Sequence, residues 1–400
     1  MSLKPIVPAV RTDNVTYAIR DIIALAQEVA STGKQMYYLN IGDPNIYDWT
    51  TPPHIINACH KAMEANQNGY APSTGIKEAL DAIEGDANKK GIDNILDIFV
   101  TSGASEAIEI CLSALLNEGD NFLMPTPGYP LYTAVQSKLM LQANPYYLDE
   151  ENGWQPDIED IKAKVNEKTK AIVLINPNNP TGAVCKKEIL LEIIDIALEN
   201  NIVVFADEIY DKLVFDSKEI ISIAALNKDL PCITFSGLSK NYMAPGWRIG
   251  WGVVSGRREV MSNYIEAINK LLRARVSSNH PEQHAIKIAL EGDQSHIVKA
   301  NGILERRRDI MMNILAEIDG ISLVKPEGAF YAFPSIEVEN DTHFVAELIR
   351  STGVVVVPGL GFGQKPYTSH FRIVILPPEE ILKTAFELIG DFYEKYKKGY

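Results

Sequence analysis

The sequence predicts an α/β fold, in which a mainly parallel sheet has helices on both faces and a smaller α+β part accompanies it. Two observations lead to this prediction. From about residue 97, short apolar runs alternate with stretches of helical pattern, which is the order expected for a parallel sheet. Several of the runs are continuously apolar, as in strands that are covered on both faces. Ligands of such sheets collect beyond the carboxyl ends of the strands, so we expect a site there.

The elements follow from their local patterns in chain order. The predicted helices lie at 17–26, 53–64, 187–200 and 257–291, the last of them interrupted near Pro281. The predicted strands lie at 37–41, 98–100, 121–124, 171–175, 202–205, 232–235, 250–254, 329–333, 354–357 and 371–375. We therefore predict a large domain of residues 46–290 and a small domain of residues 1–45 and 291–400.

Charge and cysteine usage restrict the classes of partner. The net charge of −14 argues against a nucleic-acid-binding surface, which needs clustered cations. The four cysteines are scattered without a CxxC pair, as in proteins of a reducing compartment. Neither a signal peptide nor an apolar run of membrane-spanning length is evident. We expect a cytoplasmic protein with no nucleic-acid or membrane partner.

Lys240 lies in the stretch around which the rest of the chain is organised. It follows the apolar run 231–235, stands among small residues, and is followed by Arg248. A lysine that is buried or flanked by a cation titrates at a lower pH and becomes a nucleophile for carbonyl carbon. Judged from this stretch alone, Lys240 is more often a solvated surface lysine than a nucleophile.

Polar residues also follow two other predicted strands. Asn179 comes after the strand at 171–175, and Asp207 and Tyr210 come after the strand at 202–205. Together with Lys240 they could hold an aromatic aldehyde cofactor, with Asp207 against a protonated ring nitrogen and Tyr210 and Asn179 against a phenolate oxygen. Taken singly, Asn179 is equally explained by a turn and Asp207 by a helix cap.

The chain resembles the class I aminotransferases of the pyridoxal-phosphate fold-type I group along nearly its whole length, and most closely their alanine aminotransferase branch. The motifs that carry the resemblance occur in family order: Gly69-Tyr70-Ala71-Pro72, Asn178-Asn179-Pro180-Thr181-Gly182, Asp207-Glu208-Ile209-Tyr210, Ser239-Lys240, Gly246-Trp247-Arg248-Ile249-Gly250 and Phe371-Arg372. The resemblance implies a sheet of the seven-stranded type and pyridoxal 5'-phosphate as cofactor. It also implies ping-pong transfer of an amino group between an L-amino acid, expected to be alanine, and a 2-oxo acid such as 2-oxoglutarate.

The resemblance also implies roles for individual residues. Lys240 would bond covalently to the cofactor and then move the proton of the substrate α-carbon. Asp207 would keep the ring nitrogen protonated, and Tyr210 and Asn179 would hold the ring oxygen. Tyr129 would stack on the ring, although by itself it is equally an ordinary core aromatic.

The phosphate group would be held by donors from several segments. Those implied within one subunit are Ala104 and Ser105 at a helix start, Ser236, Ser239 and Arg248. The family's counterpart of Tyr70 reaches the phosphate of the neighbouring subunit, which implies a homodimer with shared active sites.

Arg372 is the candidate for binding the substrate α-carboxylate, because a guanidinium matches that group with two hydrogen bonds. The other substrate-binding candidates are Gly42, Asn179, Tyr17 and Arg20. A substrate with a second carboxylate would need another cation, and the sequence leaves Arg20, Arg273 and Arg275 open for that role.

Three other functions stay open at this stage. They are an aspartate aminotransferase, a pyridoxal-phosphate C–S β-lyase, and a cofactor-sensing regulator, for which the chain has no basic N-terminal segment. No metal is expected, because Pro281 should keep His280 and His284 from sharing a helix face. The glycine-rich run at 358–363 lacks the following helix of a dinucleotide site and is expected to form a wall near Arg372.

Overall fold

The computed structural model describes residues 3–12 and 18–399. Its helices are α1 (Ala18–Ser31), α2 (Pro53–Glu64), α3 (Lys77–Lys89), α4 (Ala104–Leu115), α5 (Pro130–Lys138), α6 (Ile158–Lys164), α7 (Lys187–Glu199), α8 (Ile223–Leu226), α9 (Arg258–Ala274), α10 (His280–Glu291), α11 (Ser295–Leu315), α12 (Asp341–Thr352) and α13 (Glu379–Tyr396). Its strands are β1 (Tyr37–Tyr38), β2 (Ile95–Thr101), β3 (Asn121–Thr126), β4 (Gln142–Asp149), β5 (Gln155–Pro156), β6 (Thr169–Ile175), β7 (Val203–Asp207), β8 (Cys232–Gly237), β9 (Gly250–Ser255), β10 (Ile321–Ser322), β11 (Tyr331–Ala332), β12 (Ser335–Ile336), β13 (Val354–Val355), β14 (Val357–Pro358) and β15 (Phe371–Val374).

The main sheet confirms the predicted α/β class. Its strand order is β2-β9-β8-β7-β6-β3-β4-β5. The pairings within β8-β7-β6-β3-β4 are parallel, whereas β9 is antiparallel to both of its neighbours and the two-residue β5 is antiparallel to β4. Seven longer strands and the short β5 therefore make up the sheet, in agreement with the seven-stranded type.

Successive residues of the central strands enter opposite cores, which explains their continuously apolar sequence. On β7, Val204 and Ala206 pack in the cluster of α2, α3, α7 and α10, whereas Val203 and Phe205 pack in the cluster of α4, α5 and α9. Both faces of the strand are covered by helices, so a polar side chain would be buried on either face. The polar residues that chemistry needs can therefore lie only at the ends of these strands.

The sequence did not predict β4. Its segment begins with exposed Gln142 and Ala143 and contains Pro145, so it lacks the continuous apolar run that marked the other strands. The long helical region also differs in detail, because α9 ends at Ala274 and α10 begins at His280. Pro281 thus lies in the first turn of α10, where its missing N–H breaks no helical hydrogen bond.

A separate core lies among the helices α1, α11, α12 and α13. It joins three small sheets, with the strand orders β1-β13, β10-β12 and β11-β15-β14. The predicted strand-like runs at 329–333, 354–357 and 371–375 coincide with β11, with β13 and β14, and with β15. Tyr210 and Met243 from the main-sheet side also pack in this core, so it extends to the ends of β7 and β8. Within the described ranges, no helix is both long enough and apolar enough to cross a membrane.

Candidate active site

A cavity of about 130 Å³ lies where the carboxyl ends of β6, β7 and β8 meet the N-terminus of α4. Asp207 is the last residue of β7, and Lys240 follows β8 by three residues. Nine of the predicted cofactor residues line the cavity: Ala104, Ser105, Tyr129, Asn179, Asp207, Tyr210, Ser239, Lys240 and Arg248. The parallel register of the strands is what brings segments that are distant in sequence to one edge.

The amine of Lys240 is largely, though not completely, removed from water. Its Nζ donates a hydrogen bond of 2.7 Å to the backbone carbonyl of Gly42 and lies 5.5 Å from the ring centre of Phe330. Burial lowers the pKa of this amine from 10.5 to about 8; the carboxylate of Asp43 opposes the shift, and the guanidinium groups of Arg372 and Arg248 add to it. A lysine in this state is unprotonated far more often near neutral pH than a surface lysine, so it can act as a nucleophile and a base.

Asp207 is a buried carboxylate whose ionised form is only partly satisfied. Its Oδ2 accepts a hydrogen bond of 3.0 Å from the hydroxyl of Tyr132, and its Oδ1 accepts one of 3.4 Å from the backbone N–H of Ile209. Burial raises the pKa of this carboxyl to about 6, against the opposing effect of those two hydrogen bonds. A cationic group of a ligand placed against Asp207 would therefore be stabilised by it.

Sequence reasoning missed Tyr132, which holds Asp207 from the far side. Tyr132 comes three residues after Tyr129, the N-cap of α5, and it is fully buried. The spacing of three could have placed both rings on the same face of the helix start. Nothing local to Tyr132 indicates its partner, because Asp207 is 75 residues further along the chain.

Tyr331 of β11 is the second residue that the sequence did not reveal. Its hydroxyl lies 3.0 Å from the hydroxyl of Tyr210, and the two rings meet edge to face with centroids 5.7 Å apart. A Cβ at Gly42 would overlap the Tyr331 hydroxyl, so residue 42 has to be glycine for this arrangement. The guanidinium of Arg372 lies over the Tyr331 ring, 4.7 Å from its centre.

Arg372, Asn179 and Gly42, three of the predicted substrate residues, meet at the side of the cavity next to Tyr331. Arg372 is 2% exposed, and its Nη2 donates 2.6 Å to the backbone carbonyl of Asn40 while its Nη1 donates 3.3 Å to Oδ1 of Asn179. Phe362, from the glycine-rich run, covers the guanidinium at 4.6 Å, which confirms the expected wall. An aromatic sandwich of this kind orients the planar guanidinium for a carboxylate.

The opposite side of the cavity is built to receive an anion. Helix α4 begins at Ala104, directly after Gly103, whose φ of +81° is in the region that favours glycine. Arg248 donates from Nη2 to Oγ of Ser105 at 3.0 Å and to the carbonyl of Ser102 at 3.2 Å. The free N–H groups of the helix start, the hydroxyl groups of Ser105 and Ser239, and this guanidinium together match a phosphate group.

Gly250 allows this anion site to form. A Cβ on Gly250 would overlap the backbone nitrogen of Ala104, so β9 can pass under the start of α4 only with glycine at this position. The anion site, the partly satisfied carboxylate of Asp207 and the desolvated amine of Lys240 occur in a single cavity. These residues fit pyridoxal phosphate, which carries a phosphate, a basic ring nitrogen and an aldehyde.

The remaining predicted residues lie elsewhere. Among the described residues, two cofactor candidates do not line this cavity: Ser236 is buried within β8, and the side chain of Tyr70 is 87% exposed. Tyr17 lies outside the described residues, as does the side chain of Arg20. Arg275 is bound to the carbonyl of Val100 at 2.6 Å.

The reasoning about His280 and His284 was wrong. Because α10 begins at His280 with Pro281 in its first turn, the two imidazoles share a face and stack with ring centres 5.4 Å apart. His280 Nδ1 lies 2.9 Å from the carbonyl of Gly69. Within the described part of the chain, no group of three or more His, Cys, Asp or Glu side chains could hold a metal ion.

Comparison with known proteins gives consistent matches. The family model "Aminotransferase class I and II" matches residues 34–388. The glutamate-pyruvate aminotransferase AlaA of Escherichia coli K12 is 38% identical, with 98% of this chain and 99% of the relative covered. The alanine aminotransferase of Mycobacterium tuberculosis H37Rv is 40% identical, with 97% and 92% covered.

Solved structures show the same similarity. An alanine aminotransferase from Pyrococcus furiosus superposes with a TM-score of 0.94 at 40% identity, covering 97% of this chain and all of that one. A Thermus thermophilus aspartate aminotransferase mutant superposes with a TM-score of 0.88 at 27% identity, covering 98% and 100%. Both comparisons extend over the main sheet and the C-terminal segments alike.

The titration of Lys240 can be measured directly. After removal of any bound cofactor, we expect the amine of Lys240 to react with an amine-selective reagent with a midpoint at about pH 8. The same labelling of the denatured chain serves as the control, because an unfolded lysine has an ordinary pKa of about 10.4. Mass spectrometry of the Lys240 peptide across a pH series gives the midpoint in each state. Equal midpoints in the folded and the denatured chain would contradict the desolvated site.

The same shift has a defined effect on stability. An unfolded chain keeps the lysine protonated up to about pH 10.4, whereas the folded chain releases that proton near pH 8. Between these pH values the unfolded state binds more protons, so the contribution of this group to the free energy of unfolding rises with pH. The cost of burying the amine is therefore fully present below pH 8 and is lost above about pH 10.

Proposed function

The chain belongs to the class I and II aminotransferases, and we propose that within this family it transfers the amino group of L-alanine to a 2-oxo acid such as 2-oxoglutarate, by a ping-pong mechanism. The observation that carries the proposal is the convergence of the Lys240 amine and the Asp207 carboxylate in one cavity with an anion site, where the Arg372 guanidinium is bonded to Asn179 of the lining. The choice of alanine is supported by the relatives that bear that name at 38–40% identity over nearly the full length.

Bound pyridoxal phosphate, the family's cofactor, supplies a ring that accepts the electrons released at the α-carbon of the amino acid. In our proposal Arg248, Ser105 and Ser239 hold its phosphate, and Asp207 holds its ring nitrogen. Tyr210 and Asn179 hold the ring oxygen, Tyr129 covers one face, and Lys240 holds the aldehyde carbon.

The proposed acid–base group is Lys240. With the substrate bound, the Lys240 amine would take up the proton of the α-carbon and later release a proton again. A pKa of about 8 is close to neutral pH, so the amine can both accept and release a proton at a useful rate. The hydrogen bond to the Gly42 carbonyl keeps the amine at the cavity instead of in solvent.

The proposed carboxylate-binding group is Arg372, with Asn179 beside it. The bond from Arg372 to the Asn40 carbonyl and the rings of Tyr331 and Phe362 fix the plane of the guanidinium. A fixed plane means that little conformational entropy is lost when the substrate carboxylate binds. Arg372 would thereby orient the α-carbon towards Lys240.

We also propose that the enzyme is a cytoplasmic homodimer. The four cysteines, all within the described ranges, are free thiols, which agrees with a reducing compartment. A large, 87% exposed aromatic such as Tyr70 agrees with a surface that a second copy covers. In this assembly the domain of residues 1–45 and 291–400 would close over substrate bound to the domain of residues 46–290.

An amino-donor panel tests the proposed reaction. With 2-oxoglutarate as acceptor we expect alanine to give pyruvate faster than aspartate gives oxaloacetate, and no pyruvate to form from a cysteine thioether when the oxo acid is omitted. Lys240→Ala should lose the visible absorbance of the loaded enzyme and reduce turnover by roughly 10³-fold or more, because nucleophile and base are the same group. Lys61→Ala, on an exposed helix face, is the matched control and should retain both. Faster turnover of aspartate, or thioether cleavage without an acceptor, would replace alanine transamination as the function.

Substitution of Arg372 tests the proposed carboxylate grip. Arg372→Lys keeps the charge but loses the planar pair of donors, so the KM for alanine should rise about 10- to 100-fold. Cofactor absorbance should not change, because Arg372 is not among the proposed cofactor ligands. Arg306→Lys, in an exposed ion pair with Glu379, is the control and should leave the KM unchanged. An unaltered KM in Arg372→Lys would mean that the carboxylate is bound by another group.

Mixed dimers test the proposed sharing of sites. Tyr70→Phe should weaken the affinity for pyridoxal phosphate about tenfold through loss of a charge-assisted hydrogen bond. A hybrid of one Tyr70→Phe chain and one Lys240→Ala chain should regain one tight site, because an intact Tyr70 then faces an intact Lys240 across the interface. Weak binding at every site of the hybrid, or a monomer in sedimentation velocity, would contradict the shared-site homodimer.

A further inference from the structure

Two turns present Tyr210 and Lys240 to the cavity, and they are joined on the side away from it. The first turn, residues 208–212, follows β7 and the second, residues 238–243, follows β8. The sheet pairing between them ends where the N–H of Glu208 donates 3.0 Å to the carbonyl of Phe235. Residues Asp211 and Asn241, each directly after the cavity residue of its turn, then meet.

The contact between these residues is a short, buried hydrogen bond. Asn241 Nδ2 donates to Oδ1 of Asp211 at 2.6 Å, and Asn241 is 1% exposed. In the hydrogen bonds found for residues 3–12 and 18–399, this is the one that links the two turns beyond the sheet. This bond therefore couples the turn that carries Lys240 directly to Asp211. The far end of the same turn is bound to another segment, because the Met243 carbonyl accepts hydrogen bonds from Asn45 Nδ2 at 3.0 Å and from Thr51 Oγ1 at 2.6 Å.

Asp211 is fixed by a partly buried group of charges that we call the Lys90 cluster. Its members come from the end of α3, the first turn and the second turn: Asp86, Lys90, Glu208, Asp211, Lys212 and Asn241. Lys90 Nζ pairs with Oδ2 of Asp211 and lies 3.7 Å from carboxylate oxygens of Glu208 and of Asp86. Lys212 Nζ donates 3.0 Å to Asp86. Such pairs are costly to break one member at a time, because the partner is left charged and buried.

The charges of the cluster support a permanent Lys90–Asp211 pair. Burial favours neutral forms of both groups, but the acidic neighbours raise the pKa of Lys90 above its usual value. Burial by itself would raise the pKa of Asp211, but the ammonium groups of Lys90 and Lys212 hold that pKa below its usual value. Glu208 is the exception, since burial raises its pKa to about 7 in spite of Lys90. The cluster has three carboxylates, those of Asp86, Glu208 and Asp211, but only two ammonium groups. Of Glu208 and Asp211, it is Glu208 that takes up a proton more readily, so Asp211 keeps its negative charge beside Lys90.

We propose that the Lys90 cluster positions Lys240, by fixing the turn at 238–243 against the turn at 208–212 through the Asn241–Asp211 hydrogen bond. The inference rests on the function proposed above, in which Lys240 holds the cofactor aldehyde. The cluster touches neither the cavity nor the substrate residues, so its members act through Lys240 as positioning residues. When the link is lost, the second turn moves, water reaches the amine, and the amine leaves its place beside the Gly42 carbonyl.

The test uses Asn241→Ala, which removes the link but leaves the Lys90–Asp211 pair intact. After removal and readdition of the cofactor, the dissociation constant for pyridoxal phosphate should rise about tenfold. The rate of colour formation should be measured against pH in the same samples. Its midpoint, which reports the Lys240 amine, should move up by about half a pH unit or more, because a hydrated amine is more basic.

Further variants separate positioning from a purely structural role. Lys77→Ala removes an exposed ion pair with Asp81 on the same helix, α3, and should change neither quantity. Lys90→Met should reproduce the Asn241→Ala shifts and Lys90→Arg should restore them, because the arginine keeps the charge beside Asp211. If Asn241→Ala does not fold, Asn241→Ser, whose shorter side chain does not reach Asp211, takes its place in the same comparison.

Two results would be decisive against the inference. A lowered Tm in Asn241→Ala, with an unchanged dissociation constant and an unchanged pH midpoint, would make the cluster structural only and overturn the positioning role. A wild-type chain that forms no colour with pyridoxal phosphate would contradict the proposed function itself, before any variant is compared.

Discussion

Keeping the amine of Lys240 out of water is the constraint on which the rest of the site depends. A lysine amine is most stable when it is charged and hydrated. Burial near two guanidinium groups removes its water and disfavours its charge, which lowers the free energy of unfolding. The Gly42 carbonyl offers a single hydrogen bond in return. That amine therefore stays in place only because its turn is held by the Asn241–Asp211 hydrogen bond and by the packing of Met243 with Tyr210 and Leu39 in one core. The free energy spent here is recovered when a carbonyl compound bonds to the amine.

Burial disfavours the charged form of Asp207 as it does that of Lys240, and the two groups together indicate which ligand the cavity binds. Burial lowers the pKa of Lys240 to about 8 and raises that of Asp207 to about 6, so both pKa values approach neutrality from opposite sides. Neither group is neutralised by the other. A molecule with an electrophilic carbon at one end of a ring and a basic nitrogen further along it satisfies both, and the anion site at α4 accounts for its phosphate. The pKa shifts of Lys240 and Asp207 therefore indicate which ligand the cavity can bind, and also which groups can exchange protons during catalysis.

The sequence predicted what depends on local pattern or on a short motif. Helix α2 was predicted from its helical pattern and the central strands from their continuously apolar runs, and Lys240, Asp207 and Arg372 were predicted because the motifs around them resemble one family. Strand β4 was missed because Pro145 and polar residues interrupt its pattern. Tyr132 and Tyr331 were missed for a different reason: each is defined by a partner more than 70 residues away, and no local pattern encodes such a contact.

Tyr331 also changes how the two halves of the site are related. Its ring lies under the guanidinium of Arg372, and its hydroxyl bonds that of Tyr210, so the proposed carboxylate grip and the proposed holder of the ring oxygen are linked by one side chain. Gly42 has to remain glycine for that side chain to fit. Replacement of Tyr331 would therefore disturb both the carboxylate side and the ring-oxygen side of the site. Selectivity for the substrate side chain can vary more freely in segments that contact neither Tyr331 nor its two partners, and the differences between alanine and aspartate enzymes of the family should be sought there.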